Sequence, residues 1–163
     1  MTISTSEKRA EHNVAELEQT TENLLVSLQQ STEKYDRILS ILEDEYLFFR
    51  HGSDGRFHYM SPSITKLLGY EPEEYIGSSF EIHWTRHLIN EKADLHTRLS
   101  MQGIRQPPYE MEVYHKNGSY RRFVTIETPI FDSEGHVVAV EGVARDITEK
   151  RKRDNNYSIG YKS

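Results

Sequence analysis

The chain has 163 residues and a net charge of −6, enough length for one domain and an appendage, and an acidic balance that gives nucleic-acid binding no electrostatic support. It contains no cysteine, which excludes a disulfide framework, thiolate zinc sites and cysteine nucleophiles. No apolar run approaches membrane-spanning length, and the polar, charged stretch Met1 to Asn13 is unlike a signal peptide. A cytoplasmic chain without membrane contact is expected.

Met1 to Ser6 is polar and is expected to fray. From Ser6 to Leu42 the sequence has neither Gly nor Pro and reads as one helix. Val14, Leu17, Thr21, Leu24, Leu28, Ser31, Tyr35, Ile38 and Leu42 recur by threes and fours, an a/d seam with Thr21 and Ser31 as polar interruptions. So narrow an apolar stripe leaves a lone helix marginal in water. Two copies zipped into a homodimer would bury it; the alternative is a helix folded back on its own sheet.

Tyr46 to His51 and Arg56 to Met60 read as a hairpin around Gly52-Ser53-Asp54-Gly55. Ser61-Pro62 predicts a helix with Ser61 as cap, Ile64, Leu67 and Leu68 as its buried face and Gly69 as its end. Pro72-Glu73-Glu74 opens another short helix that Gly77 ends. After an irregular segment, Asn90 to Gln102 is helical, with Ala93, Leu95 and Leu99 available to bury. Pro107 and Pro108 stop it, and Tyr109 to His115 is the third strand.

The stretch His115 to Arg153 predicts two long strands and a helix. Asn117-Gly118 is a hairpin signal, because both residues readily take positive φ. Tyr120 to Phe131 follows, with Phe123 and Pro129 on one face and Val124, Ile126 and Ile130 on the other. Asp132-Ser133-Glu134-Gly135 is a second turn. Val137 to Ala144 has hardly a polar residue and predicts a strand covered on both faces. Asp146 and Glu149 have capping-box spacing at the start of a charged helix, with Thr148 as the rival cap. The order predicts an α+β domain with a five-stranded antiparallel sheet. The expected boundaries are a coiled-coil helix at 1–44, the α+β domain at 45–147, and a linker helix with a flexible tail at 148–163.

Few residues invite chemistry. His83 and His87, one turn apart on a helix, could share a metal, but no third ligand is placed and no metal is expected. Glu110, Glu112 and Glu127 on strands invite an acid–base reading. No nucleophile, metal site or phosphate loop joins them, so no enzyme is expected. The basic run Lys150-Arg151-Lys152-Arg153 is explained as a solvated helix end.

Three stretches in order, SPSITKLLGYEPEEYIG, KNGSYRRF and GHVVAVEGVARDITEKRK, resemble a PAS sensory domain with its PAC C-terminal part, of the kind found in bacterial histidine kinases and diguanylate cyclases. The resemblance covers Glu45 to Arg153. It implies short helices and an inner sheet face around a cavity, with Tyr59, Phe80, Trp84, Leu88, Tyr109 and Phe123 as lining candidates; the same aromatics also suit a plain core. His96 lies in the helix where haem-binding relatives carry their ligand, which aligns nearer Lys92. Flavin–cysteinyl photochemistry is excluded by the absence of cysteine. No cofactor is expected, only an unidentified small ligand. Asp146, Ile147 and Thr148 are expected to transmit the signal through the flanking helices to an output domain outside this chain, a histidine kinase first and a diguanylate cyclase second. The alternative is a ligand-free dimerisation scaffold.

Overall fold

The computed structural model describes residues 5–160. Residues 1–4, expected to fray, and residues 161–163 of the expected tail lie outside the described residues. The chain divides into two units, Met1–Ile41 and Leu42–Ser163.

The first unit is built on helix α1 (Thr5–Leu42), 38 residues without Gly or Pro, whose last residue belongs to the second unit. Val14, Leu17, Leu24, Leu28, Tyr35 and Ile38 are exposed along it, together with Leu25, Val26 and Ile41 outside the strict seam. Leu42 is half-buried. The Thr21 hydroxyl donates back to the Leu17 carbonyl at 2.8 Å, which is how the helix accommodates a polar residue in its apolar row.

In the second unit, strands β1 (Tyr46–Gly52), β2 (Phe57–Met60), β3 (Tyr109–Tyr114), β4 (Tyr120–Phe131) and β5 (Val137–Asp146) form one sheet in the order β2-β1-β5-β4-β3. Every pairing is antiparallel. The last strand is therefore central, hydrogen-bonded to β1 on one side and β4 on the other. Between the strands lie helix α2 (Ser63–Leu68), a 3-10 turn at Pro72–Glu74 and helix α3 (Ile89–Met101); helix α4 (Thr148–Gly160) follows β5.

The register sets the two faces. Met60, Phe49, Gly142 and Glu127 share one row across four strands, and Leu47, Ala144, Thr125 and Tyr109 share the next. This inner face packs with Ile64, Leu67 and Leu68 of α2 and with Tyr70, Tyr75 and Phe80. Each large apolar side chain fully buried here contributes about 1.5–3 kcal/mol.

The opposite parity carries Val124, Ile126 and Ile130, as the alternation predicts. Ile126 on that face, and Val138 on β5, are 48% and 45% exposed. On the outer parity of β5, Ala139 is buried, Val137 and Val143 are half-buried, and Glu141 and Arg145 are exposed, so the final strand expected to be covered on both faces is covered only in part on this one.

Other expectations need adjusting. Ser61 does not cap α2 through its side chain; its hydroxyl accepts the Phe48 N–H at 2.9 Å and ties the helix start to β1. Gly69, at φ 76°, ends that helix as expected. In the β3–β4 turn only Gly118 takes positive φ, and the Asn117 side chain instead accepts the Ser119 N–H at 2.9 Å. Helix α3 buries Asn90, Ala93, Thr97 and Ser100, while Leu95 is exposed. The tail expected to be flexible continues α4 as far as Gly160.

Candidate functional site

The inner sheet face, α2, α3 and the irregular segment before α3 enclose a cavity. Of the residues expected to line it, Phe80, Trp84, Tyr109 and Phe123 do so; Tyr59 and Leu88 do not. Tyr59 pairs with exposed Arg50 and is itself exposed, while Phe57 and Met60 turn inward. A register shift between Arg50 and His51 breaks the simple alternation along β2, so Tyr59, which the resemblance offered as a lining residue, does not share a face with Phe57. Leu88 sits at the cap of α3, 73% exposed.

Trp84 is positioned by backbone pairing. The irregular segment lies against the free edge of β3: Trp84 bridges to Val113, the Thr85 N–H donates to the Glu112 carbonyl at 3.1 Å, and the Tyr114 N–H donates to the His83 carbonyl at 2.7 Å. His83 takes φ 62°, uncommon for a residue with a side chain. The segment is turn, not helix, so His83 and His87 do not share a helical face. His83 stacks on Tyr70 at 4.1 Å, and His87 Nδ1 accepts the Ile89 N–H at 3.1 Å. Among the described residues no group of three or more His, Cys, Asp or Glu side chains is placed to hold a metal.

One end of the cavity is polar. Glu127, Thr97 and Tyr109 line it, all buried. Tyr109 Oη and Thr97 Oγ1 are 2.8 Å apart, and Thr97 Oγ1 stands 3.5 Å from Glu127 Oε1. His51 approaches from β1, with Nε2 3.5 Å from Glu127 Oε1 and Nδ1 2.9 Å from the Gly52 carbonyl. His51 Nε2 and Glu127 Oε2 are buried without a hydrogen bond. Burial, reinforced by Glu127, pushes the Tyr109 phenol well above its ordinary range. Glu127, which lines the cavity, and His51, buried behind it, escaped the sequence reading, although parity held the signal: Glu127 alternates with Phe123 and Pro129, and His51 with Leu47 and Phe49.

The three strand carboxylates do not form one acid–base site. Glu127 lies inside, whereas Glu110 and Glu112 meet Arg122 on the other side of the sheet. The space open to a water-sized molecule in the cavity is only about 30 Å³, far below what a flavin ring system or haem occupies. His96, half-buried against Tyr109 and Gln106, and exposed Lys92 do not line it. The residues as placed do not fit either group.

The exit from the sheet is stitched by three hydrogen bonds, one to Glu45 and two to Arg122. The Asp146 N–H donates to the Glu45 carbonyl at 2.8 Å, the Ile147 N–H to the Arg122 carbonyl at 2.8 Å, and the Arg122 N–H to the Thr148 hydroxyl at 2.9 Å. Asp146 Oδ1 accepts the Thr148 N–H at 2.8 Å, and the Thr148 hydroxyl donates to the same oxygen. The capping box expected between Asp146 and Glu149 is not formed: Glu149 pairs with Lys152, and the first helical bond runs from the Arg151 N–H to the Ile147 carbonyl. Asp146 thus precedes the cap by one residue. On the outer sheet face Thr85 donates to Glu112 at 2.7 Å, Glu112 pairs with Arg122 at 2.8 Å, Arg122 with Glu110 at 3.6 Å, and Glu110 with Arg151 of α4.

This sheet order, with helices on one face around a cavity and a helix leaving the central strand, defines a sensory-domain fold. The family model described as "PAS domain" matches residues 44–149, and the chain belongs to that family. It is 29% identical over 127 residues to hypoxia-inducible factor 1-alpha of Gallus gallus, across 73% of this chain but only 15% of that protein's length. Among solved structures it is similar to the N-terminal domain of a diguanylate cyclase with PAS/PAC sensor from Marinobacter aquaeolei, at TM-score 0.57 and 19% identity, covering 65% of this chain and 98% of that one. It is also similar to a sensory box histidine kinase/response regulator from Burkholderia thailandensis E264, at TM-score 0.58 and 17% identity, covering 79% and 95%. At these identities the likeness to the solved structures is one of fold. Among the described residues no helix is long and apolar enough to cross a membrane.

Proposed function

We propose that the chain is the sensory module of a cytoplasmic, bacterial signalling protein. A small molecule held in the cavity shifts the set of α4 and, through it, an output domain elsewhere in the same protein, a histidine kinase first and a diguanylate cyclase second. The observation that carries this reading is the Glu127 carboxylate, 3% exposed, lining a mostly apolar cavity with Oε2 unpartnered. A buried acceptor left without a donor is costly, and a bound molecule relieves that cost. The polar ladder from Thr85, beside the cavity-lining Trp84, to Arg151 supports a route from cavity to exit helix. A second copy zipped along the exposed seam of α1 makes the module a homodimer.

A second reading, a ligand-free dimerisation scaffold, is favoured by the small free space of about 30 Å³. Native mass spectrometry of freshly purified protein separates the two. The sensor reading expects a small molecule that co-purifies, leaves on mild activation and shifts the emission of Trp84, the chain's one tryptophan. A bare polypeptide mass in every preparation, with Trp84 emission indifferent to cell extract, supports the scaffold.

A further inference from the structure

The polar end of the cavity has more acceptors than donors, as a count of its protons shows. Tyr109 and Thr97 each bring one hydroxyl proton, and a carboxylate brings none. Tyr109 Oη stands 2.8 Å from Thr97 Oγ1 and is also hydrogen-bonded toward Glu127, and Thr97 Oγ1 stands 3.5 Å from Glu127 Oε1, so whichever hydroxyl donates to the other, both protons are used within this group of three. His51 Nδ1 faces the Gly52 carbonyl at 2.9 Å. A carbonyl can only accept, so that nitrogen carries the proton. If the ring holds a second proton, on Nε2, it faces Glu127 Oε1 at 3.5 Å and not Oε2. In either state of the ring, Glu127 Oε2 remains a buried acceptor without a donor.

The rest of the lining is almost wholly apolar: Leu47, Phe49, Met111 and Phe123 among others. An anion brought here would meet a carboxylate in a medium of low dielectric, where like charges repel strongly. A molecule with an N–H or O–H on a short aliphatic stub would pair with Oε2 and leave its stub on the apolar wall. The free space of about 30 Å³ admits only a few heavy atoms. Met60 and Met111, flexible thioether side chains in the wall, can make more room by changing rotamer.

We infer that the cavity selects a small molecule with a hydrogen-bond-donating, non-anionic head, an amine or an alcohol, seated on Glu127 Oε2. This rests on the reading of the cavity as a ligand site. Glu127, which the sequence offers only as a strand carboxylate, becomes the specificity-determining residue.

The test uses three probes of matched carbon number, n-propylamine, n-propanol and propionate, with xenon as an apolar occupant. They are titrated into the full chain labelled at the methionine methyls. The chain has four methionines, and Met60 and Met111 report from the cavity wall. Propylamine or propanol is expected to bind at least roughly tenfold more tightly than propionate; which of the two does so tells a cationic from a neutral head. In Glu127→Gln, the side-chain amide adds a donor, so the margin over propionate should shrink by about the same factor. Propionate binding the wild type as well as the other two overturns the inference, with no variant needed. So does a preference unchanged in a folded Glu127→Gln. If xenon or propionate enters and neither donor does, the cavity reading stands and this inference alone falls. If none of the four binds, the ligand reading fails and takes the inference with it.

Discussion

Phe49 and Gly142 face each other across β1 and β5, and only one of them has room for a side chain: a Cβ on Gly142 would stand 2.1 Å from Phe49 Cζ. The missing side chain on the central strand lets the Phe49 ring lie over β5, in the row that continues to Glu127. The cavity wall is therefore set in part by an absence in the sequence.

Gly142→Ala should destabilise the domain by about 1–3 kcal/mol, the usual cost of overpacking a core that cannot yield. Urea denaturation measures it. Gly142→Ala combined with Phe49→Leu should recover part of the loss, because the two sites are in contact and do not act additively. A single variant as stable as wild type would mean that the ring moves aside freely.

The seam of α1 predicts a second experiment. Leu24→Glu with Leu28→Glu places two charges in the row that a partner helix would bury, where an unpaired ion is very costly. Analytical ultracentrifugation should show a dimer for the wild type and a monomer for the double variant. A dimer that survives the change has its interface elsewhere.

Asp146 holds Thr148 through one oxygen, at the point where the central strand becomes α4. Asp146→Ala should cost about 1 kcal/mol, comparable to losing a helix cap, and leave ligand affinity nearly unchanged. In a fusion of residues 1–153 to a histidine kinase in matched helical register, it should weaken the response to ligand. A response equal to wild type makes the contact structural only. Loss of the fold makes it a core contact.

His83 predicts a pH effect with a definite sign. Burial in its stack on Tyr70 lowers its pKa, against a smaller raising influence of Glu74. A folded-state value below the unfolded one means that the neutral ring stabilises the fold above the unfolded pKa, near 6.5. That contribution is lost as pH falls through the lower, folded value. Stability of the wild type should therefore decline between pH 7 and 5 more steeply than that of His83→Asn, a substitution that tolerates positive φ. Urea midpoints across that range provide the comparison, and parallel profiles would remove His83 as a source.

Local chemistry made the elements legible in the amino-acid order. Gly and Pro punctuation placed the end of α2 at Gly69 and the turn at Asn117-Gly118, period-two alternation sorted β4 into Phe123 and Ile126 faces, and a Gly-free, Pro-free run announced α1. These signals act within a few residues, so no partner is needed to read them. The cavity was half legible: the family resemblance implied it, and Phe80, Trp84, Tyr109 and Phe123, large and apolar, were placed inside correctly. Tertiary structure decided the rest. A register shift at His51 sent Tyr59 outward and brought Met60 in, and the cap of α3 left Leu88 in solvent. Thr97, Glu127 and His51 met from a helix and two strands that are not neighbours in the sheet. Hydrophobicity sorts a polar residue to the surface by default, and only the pairing of distant strands, which settles which parity faces the core, overrides that default for Glu127.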